Sequence, residues 1–141
     1  MLHNRYSSDP SGGGLPAYLG IRTTSVEPGR LRCELLVTEE LLNPFGAAHG
    51  GVASALIDHV LGAVCLPVIP HGSWPATQEF KLNFTAPALT GPMVADARIV
   101  SMSRRTAIVR VDVTNLGRMV CAAQGTVAIM APRKAPDGPT R

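Results

Sequence analysis

A nearly continuous apolar segment, residues 52–66, constrains the fold of this 141-residue chain more than any other feature. Only Ser54, Asp58 and His59 interrupt the segment, and Pro67 follows it directly. Its length and its Ala and Leu content predict an α-helix, and a helix that is apolar on most faces must be buried on most of them. About four turns are too short to cross a bilayer. We therefore predict the central helix of a soluble domain, and no membrane partner.

Stretches on both sides of this helix predict β-strands. Residues 21–38 contain two short strands separated at 27–30, where Pro28 restricts one backbone dihedral and Gly29 frees the next. Four longer strands follow the helix, at 77–85, 92–103, 105–115 and 118–130. The last three are joined by short turns and should form an antiparallel sheet. Two strands, one buried helix and four further strands predict an α+β domain.

The two ends of the chain differ in composition from the segment between them. Pro, Gly and Ser are frequent at 7–16 and 132–141, which predicts flexible tails at 1–14 and 132–141 around a folded domain at 15–131. The first residues have neither the basic start nor the long apolar segment of a signal peptide, so a cytoplasmic location is expected.

The charge of the chain does not predict a nucleic-acid ligand. Its formal net charge is +3, but the segment between the predicted tails contains nine Lys and Arg and eight Asp and Glu, a net charge of +1. Aromatic residues make up 4% of the chain, too few for a base-stacking platform.

The cysteines and histidines do not predict a metal site. Three cysteines, at 33, 65 and 121, are widely spaced in apolar surroundings, which indicates reduced core residues. His49, Asp58 and His59 have none of the usual metal-ligand spacings, so no metal is expected.

The start of the predicted helix, His49-Gly50-Gly51, is a candidate anion-binding site. The first backbone N–H groups of a helix have no partner within it, and the helix dipole adds positive charge there. The two glycines either let a substrate approach the backbone, as an oxyanion hole requires, or simply suit a tight turn into the helix. His49 is at the mouth of this site, although a single His in a loop is usually structural.

Asp58 is the only carboxylate between Glu40 and Glu79. It lies seven residues after Gly51, about two helical turns, so it should project along the same side of the helix and could share a pocket with the exposed amides. A carboxylate on a buried helix is costly unless it is paired, which leaves a functional acid or a capping or interface hydrogen bond. His59 points about 100° away and is interpreted as a core or interface residue.

The spacing of Asn43, His49-Gly50-Gly51 and Asp58 resembles that of the hotdog-fold acyl-CoA thioesterases of the phenylacetic-acid-degradation type, which include the hydroxyphenylacetyl-CoA thioesterases. Thr77 and Pro87 match two further positions of that family, early in the next strand and at its end. The resemblance implies a curved antiparallel sheet of five to six strands wrapped around one helix. It also implies a homodimer, or a homotetramer built as a dimer of dimers, with composite sites in the dimer interface.

The resemblance also implies roles for individual residues and requires no cofactor. The Gly50 amide would polarise the thioester carbonyl, and Asp58 would act as nucleophile or as general base on water. Asn43 and Thr77 would orient water or carboxylate, and His49 would lie near the carbonyl or the leaving sulfur. These roles agree with the chemistry, because thioester hydrolysis builds negative charge on one oxygen and needs one activated oxygen nucleophile.

Three further points remain open at the level of sequence. Gly51 would let the substrate approach the backbone, and Arg104 and Arg105 either bind CoA phosphates or form a solvated turn. The main alternative to an acyl-CoA hydrolase is a hotdog module that binds acyl-CoA without hydrolysing it. A further alternative is a hotdog dehydratase or hydratase. The sequence does not specify the acyl group.

Overall fold

The structure is a computed structural model that describes residues 13–133, so the two predicted tails lie largely outside the described residues. It begins with a short helix, α1 (Gly14–Leu19), that the sequence analysis did not predict. α1 ends at Gly20, which adopts a positive φ of 68° and donates its N–H to the Ala17 carbonyl at 3.1 Å. Six residues are too few to show helical periodicity, and only the glycine at its end could have indicated the helix.

Six strands form one antiparallel sheet in the order β1-β2-β4-β5-β6-β3. Their bounds are β1 (Arg22–Glu27), β2 (Arg30–Val37), β3 (Trp74–Phe84), β4 (Gly91–Met102), β5 (Thr106–Asn115) and β6 (Arg118–Met130). The strands predicted from the sequence are all present, and the α+β class with an antiparallel sheet packed against one central helix is confirmed. β1 and β3 are the two edges of the sheet, although β3 follows β2 in the chain.

One long helix, α2 (Gly50–Ala63), packs against the sheet. It starts at Gly50, within the predicted start His49-Gly50-Gly51, and it ends at Ala63, before a single 3-10 turn at Leu66–Val68. The helix ends early because Pro67 has no N–H to continue the helical hydrogen bonds. By length and composition alone, the 19 residues Gly50–Val68 could cross a membrane, a test that the core helix of a soluble protein also passes.

The core lies between α2 and the inner face of the sheet. Six residues of α2 are buried there, namely Val52, Ala53, Leu56, Ile57, Val60 and Leu61, and the strands contribute alternating Val, Leu and Ala side chains. Cys33, Cys65 and Cys121 are buried and unpaired, as predicted. Burial raises the pKa of the Cys65 thiol to about 11.

α2 runs antiparallel to β3 across the inner face of the sheet. A Cβ added to Gly50 would lie 2.8 Å from Phe84 Cζ, and one added to Gly62 would lie 3.7 Å from Pro75 Cγ. We call the side of the domain with the start of α2 and the end of β3 the Gly50 end. The opposite side, with the start of β3, the end of β6 and the β4–β5 turn, is the Trp74 end.

Candidate functional site

Asn43 organises the loop that leads into α2. Its Oδ1 accepts hydrogen bonds from the N–H groups of Phe45 at 2.9 Å and Ala47 at 3.2 Å, and its own N–H donates to the Ala47 carbonyl at 2.7 Å. Because Oδ1 is used twice inside the loop, the Nδ2 group is the part of the side chain left for a substrate or a water. A site role was predicted for Asn43, but not this structural role, which an Asn beside a Pro-Phe-Gly turn could have indicated.

His49 is the N-cap of α2 and uses its side chain to satisfy one of the free helical amides. Its Nδ1 accepts a hydrogen bond from the Gly51 N–H at 2.9 Å, while its backbone N–H donates to the Leu41 carbonyl at 2.8 Å. Because Nδ1 accepts this bond, it carries no proton. In the neutral ring the proton is therefore on Nε2, which can donate a hydrogen bond. The Gly51 amide is therefore occupied within the chain, and only Gly50 remains as the candidate oxyanion donor.

The Gly50 amide has no hydrogen-bond partner among residues 13–133. It lies at the positive end of the α2 dipole, where a developing oxyanion is stabilised. The ring of Phe84, whose surface is 60% exposed, leans so closely against Gly50 that a Cβ at this position would clash with it. A larger residue at position 50 would displace this exposed ring from the start of α2, so glycine allows the ring to pack there.

A cavity of about 510 Å³ opens beside this amide at the Gly50 end. Its walls are mainly small or apolar, and Asn43 and Thr85 contribute the polar side chains. The lining residues are Asn43, Ala47, Ala48, Gly50, Ala53, Phe84, Thr85, Ala86, Pro87, Ala88, Met93 and Val120. A mostly apolar cavity of this size with one amide and one free N–H suits an acyl group whose carbonyl points at the helix terminus.

Asp58 lies on the face of α2 that points away from the sheet, together with Gly51, and both residues are exposed in the single chain. The shared side predicted for Gly51 and Asp58 is therefore observed, but the expected burial of Asp58 is not. The helix rises 1.5 Å per residue, so the eight residues from Gly50 to Asp58 separate their backbones by about 12 Å. Asp58 does not line the cavity of Gly50, and the two groups do not share a pocket within one chain.

Thr77 lies near the start of β3, on the same level of the domain as Asp58. It is half-buried and pairs with Val127, whose side chain is in the core, so Thr77 points to the helix side of the sheet. The register of β3 shifts between Thr77 and Glu79, a β-bulge that bends the edge strand at this position. The chain thus separates its candidate residues into two sets, Asn43 with Gly50 and Asp58 with Thr77.

His59 is half-buried beside Asp58 on α2. Burial lowers the pKa of its imidazole, and the nearby negative charge of Asp58 raises it in opposition. No hydrogen bond joins the two side chains among those of the described residues, in agreement with the predicted 100° between them.

Arg104 and Arg105 form the exposed β4–β5 turn at the Trp74 end. Ser103 holds this turn, because its N–H donates to the Thr106 carbonyl at 2.8 Å and its Oγ accepts from the Thr106 N–H at 3.2 Å. The ten residues of β5 separate this turn from the Gly50 end by about 30 Å within one chain. The arginines therefore do not line the cavity of their own chain.

A smaller cavity, of about 320 Å³, lies on the outer side of the α2 N-terminus. His49, Gly51 and Ala55 line it from α2, and Leu15 and Leu19 line it from α1. Within residues 13–133, no group of three or more His, Cys, Asp and Glu side chains could hold a metal ion.

Comparison with known proteins identifies related chains. The family model described as "Thioesterase superfamily" matches residues 45–122, more than half of the chain. A 1,4-dihydroxy-2-naphthoyl-CoA hydrolase from Listeria monocytogenes is 29% identical over 122 residues, which cover 86% of this chain and 99% of the relative. Human acyl-coenzyme A thioesterase 13 is 29% identical over 106 residues, covering 74% and 75% of the two chains.

A solved structure extends the comparison to the fold. The PaaI protein of the Escherichia coli phenylacetic acid degradation operon superposes with a TM-score of 0.80 at 21% identity, covering 92% of this chain and 91% of the other. This likeness shows a shared fold, and the hotdog fold predicted from the sequence is confirmed.

Proposed function

This chain belongs to the thioesterase superfamily, and on that premise we propose that it hydrolyses acyl-CoA thioesters to a free acid and CoA. The superfamily supplies the reaction class, hydrolysis of a thioester. The choice of CoA as the thiol rests on two relatives whose names specify CoA esters as substrates.

The Gly50 amide is the proposed oxyanion donor. It is the one open N–H at the start of α2, because His49 occupies the next one, and it faces a cavity large enough for an acyl group. When water or a carboxylate attacks the thioester carbon, charge moves to the carbonyl oxygen, and a fixed amide at a helix N-terminus stabilises that charge. The His49 Nε2–H can donate to the same oxygen or to the leaving sulfur.

Asp58 is the proposed nucleophile or general base, and either role requires its carboxylate to be ionised. Thr77 would orient the attacking water or the carboxylate through its hydroxyl, and the Nδ2 group of Asn43 would do so from the side of the cavity. None of these three side chains is part of the hydrophobic core. Only Asn43 has a structural role as well, because its Oδ1 holds its own loop.

A two-fold dimer would bring the two sets of residues together. β3 is an 11-residue edge strand that leaves one row of N–H and C=O groups unpaired, and such an edge is a ready site for a second strand. If two β3 strands pair antiparallel, the start of one lies beside the end of the other. Asp58 and Thr77 of one subunit then lie near Asn43 and Gly50 of its partner, giving two composite sites.

One observation supports this proposal most directly: Gly50 and Asp58 lie about 12 Å apart along one helix, whereas reacting groups must approach to about 3 Å. A single chain therefore presents two half-sites. The dimer, a dimer of dimers and the cytoplasmic location belong to the proposal and have to be tested in solution and in cells.

The test compares the wild-type protein with Asp58→Asn in the hydrolysis of short, medium, long and aromatic acyl-CoA esters. The rate of hydrolysis is measured from the release of the CoA thiol. We expect turnover of the best ester to fall at least about 100-fold in the variant, because the amide has the size of the carboxylate but cannot act as base or nucleophile. Asp112→Asn is the matched control, since Asp112 lies on β5 away from the helix, and it should keep normal turnover.

Two outcomes would contradict the proposal. Near-normal turnover in Asp58→Asn would make Asp58 a structural residue. Tight binding of acyl-CoA by the wild-type protein without any hydrolysis would favour the binding module.

A further inference from the structure

The cavity at the Gly50 end has no charged side chain on its walls. The residues that line it in the described part of the chain include no Asp, Glu, Lys, Arg or His, and the polar side chains are those of Asn43 and Thr85. Thr85 is exposed and its hydroxyl donates a hydrogen bond to the Met119 carbonyl at 3.0 Å, while the Oδ1 of Asn43 holds its own loop. The polar groups therefore belong to the outer part of the cavity, near the Gly50 amide.

The floor of the cavity consists of buried apolar side chains. Ala53, Ala88, Met93 and Val120 line it, and none of the four is more than 8% exposed. The backbone in this part of the wall is also paired, because the Ala88 carbonyl accepts a hydrogen bond from the Ala48 N–H at 2.8 Å. A polar group that reached the floor would therefore lose its water without gaining a partner.

The cavity is shallow along α2. Gly50 and Ala53 line it, one turn or about 5 Å apart along the helix, whereas Leu56 in the next turn is fully buried and does not line it. Small side chains create this space, since alanines line the cavity at positions 47, 48, 53, 86 and 88. A ligand that enters beside the Gly50 amide therefore meets the floor after a short distance.

We propose that this cavity selects a short acyl group whose far end is apolar, either a short aliphatic chain or a single aromatic ring without a hydroxyl or carboxylate. The proposal names the substrate class of the proposed function and rests on it for the reaction. With the thioester carbonyl at the Gly50 amide, the carbons furthest from the carbonyl would contact Ala53, Ala88 and Met93. An apolar end is stabilised when it leaves water for these walls, whereas a hydroxyl or carboxylate loses its hydration without compensation.

The test compares three CoA esters that share a six-carbon chain and differ only at its last carbon. Hexanoyl-CoA ends in a methyl group, ω-hydroxyhexanoyl-CoA in a hydroxyl, and adipoyl-CoA in a carboxylate. We expect kcat/KM of the wild-type protein to be at least about tenfold lower for the hydroxylated ester, because its hydroxyl has no partner on the floor. The carboxylate should lower kcat/KM at least about 100-fold, because an unpaired charge is more costly to bury.

Two substitutions on α2 test whether this cavity is responsible. Ala53→Leu adds bulk to the floor and should lower kcat/KM for hexanoyl-CoA, relative to acetyl-CoA, at least about tenfold. Ala55→Leu is the matched control, because Ala55 lies two residues further along the same helix and lines the smaller cavity instead. It should leave that ratio unchanged. Thermal unfolding shows whether both variants are folded.

The outcomes separate this inference from the proposed function. Hydrolysis with equal kcat/KM for the three six-carbon esters would overturn the apolar selection and leave the proposed function intact, and this comparison needs no variant. An equal loss in Ala53→Leu and Ala55→Leu would also overturn it.

If no ester is hydrolysed, calorimetry with the hexyl thioether of CoA and its ω-hydroxy derivative replaces the rates, since neither contains a thioester. Tighter binding of the hexyl thioether would then support the apolar selection and overturn the proposed function. Equal binding of the two thioethers would overturn both.

Discussion

Two inactive variants of this chain should restore each other's activity if its sites are composite. The first variant is Asp58→Asn, and the second is Asn43→Asp, which keeps an oxygen acceptor for the N–H groups of Phe45 and Ala47 and so preserves the loop. The new carboxylate cannot donate the hydrogen bond that Nδ2 supplies. Each variant alone should be folded and almost inactive.

The recovered activity follows from the geometry of the dimer. Because Gly50 and Asp58 are about 12 Å apart on α2, each site of the proposed dimer would take Asn43 and Gly50 from one subunit and Asp58 from the other. When the two variants are mixed equally, half of the dimers pair unlike subunits. In each mixed dimer one site collects both substitutions and the other collects neither, so about one quarter of all sites are intact.

The assay is thioester hydrolysis after the two variants are unfolded together and refolded as an equal mixture. Native mass measurement of chains that carry different tags confirms the mixed dimers, and each variant refolded alone provides the background. We expect about a quarter of the wild-type rate. A mixture that contains mixed dimers and remains as inactive as its parents would refute the shared site and return the residues to one chain.

Three further predictions concern CoA binding, acid stability and thiol reactivity. Replacing Arg104 and Arg105 together by Ala should raise the KM for CoA esters and leave kcat nearly unchanged, because phosphate contacts stabilise ground and transition states alike; an unchanged KM and salt response would indicate a solvated turn. Asp96→Asn should lower the free energy of unfolding by about 1 kcal/mol at pH 7, because the Arg30 guanidinium lowers the pKa of that carboxyl from 3.8 to about 2. A depressed pKa stabilises the fold above pH 4, so denaturation curves of the two proteins should converge as pH falls from 4 to 2. Cys65 should resist alkylation at pH 8 in the folded protein, because burial raises the pKa of its thiol to about 11, and rapid labelling by a maleimide would contradict its position in the core.

The elements that were predicted correctly are those whose residues repeat with a local period. The apolar run at 52–66 indicated α2, and the alternation of Phe80 and Leu82 with charged neighbours indicated β3. The hairpin between β5 and β6 follows from Leu116-Gly117, where both residues adopt a positive φ, of 51° and 77°. Such signals depend on neighbours within a few positions, which is why one sequence is enough to detect them.

The candidate site was predicted only in part, because its groups interact through space. The sequence placed Gly51 and Asp58 on one side of the helix but could not show that His49 uses the Gly51 amide as its capping partner. It also implied a buried carboxylate, whereas Asp58 is exposed in the single chain. Whether a face of a helix is buried depends on which elements pack against it. The periodicity of the sequence does not show which elements these are.

The sequence by itself determined the class of fold, the central helix and the spacing of the candidate residues, since each follows from local periodicity or from a motif within sixteen positions. The tertiary structure alone decided that β3 crosses the sheet to become its edge, and that α2 runs antiparallel to it. That crossing is set by the packing of the whole helix on the sheet. It places Gly50 and Trp74 at opposite ends of the domain, which in the proposed dimer would divide the site between two subunits.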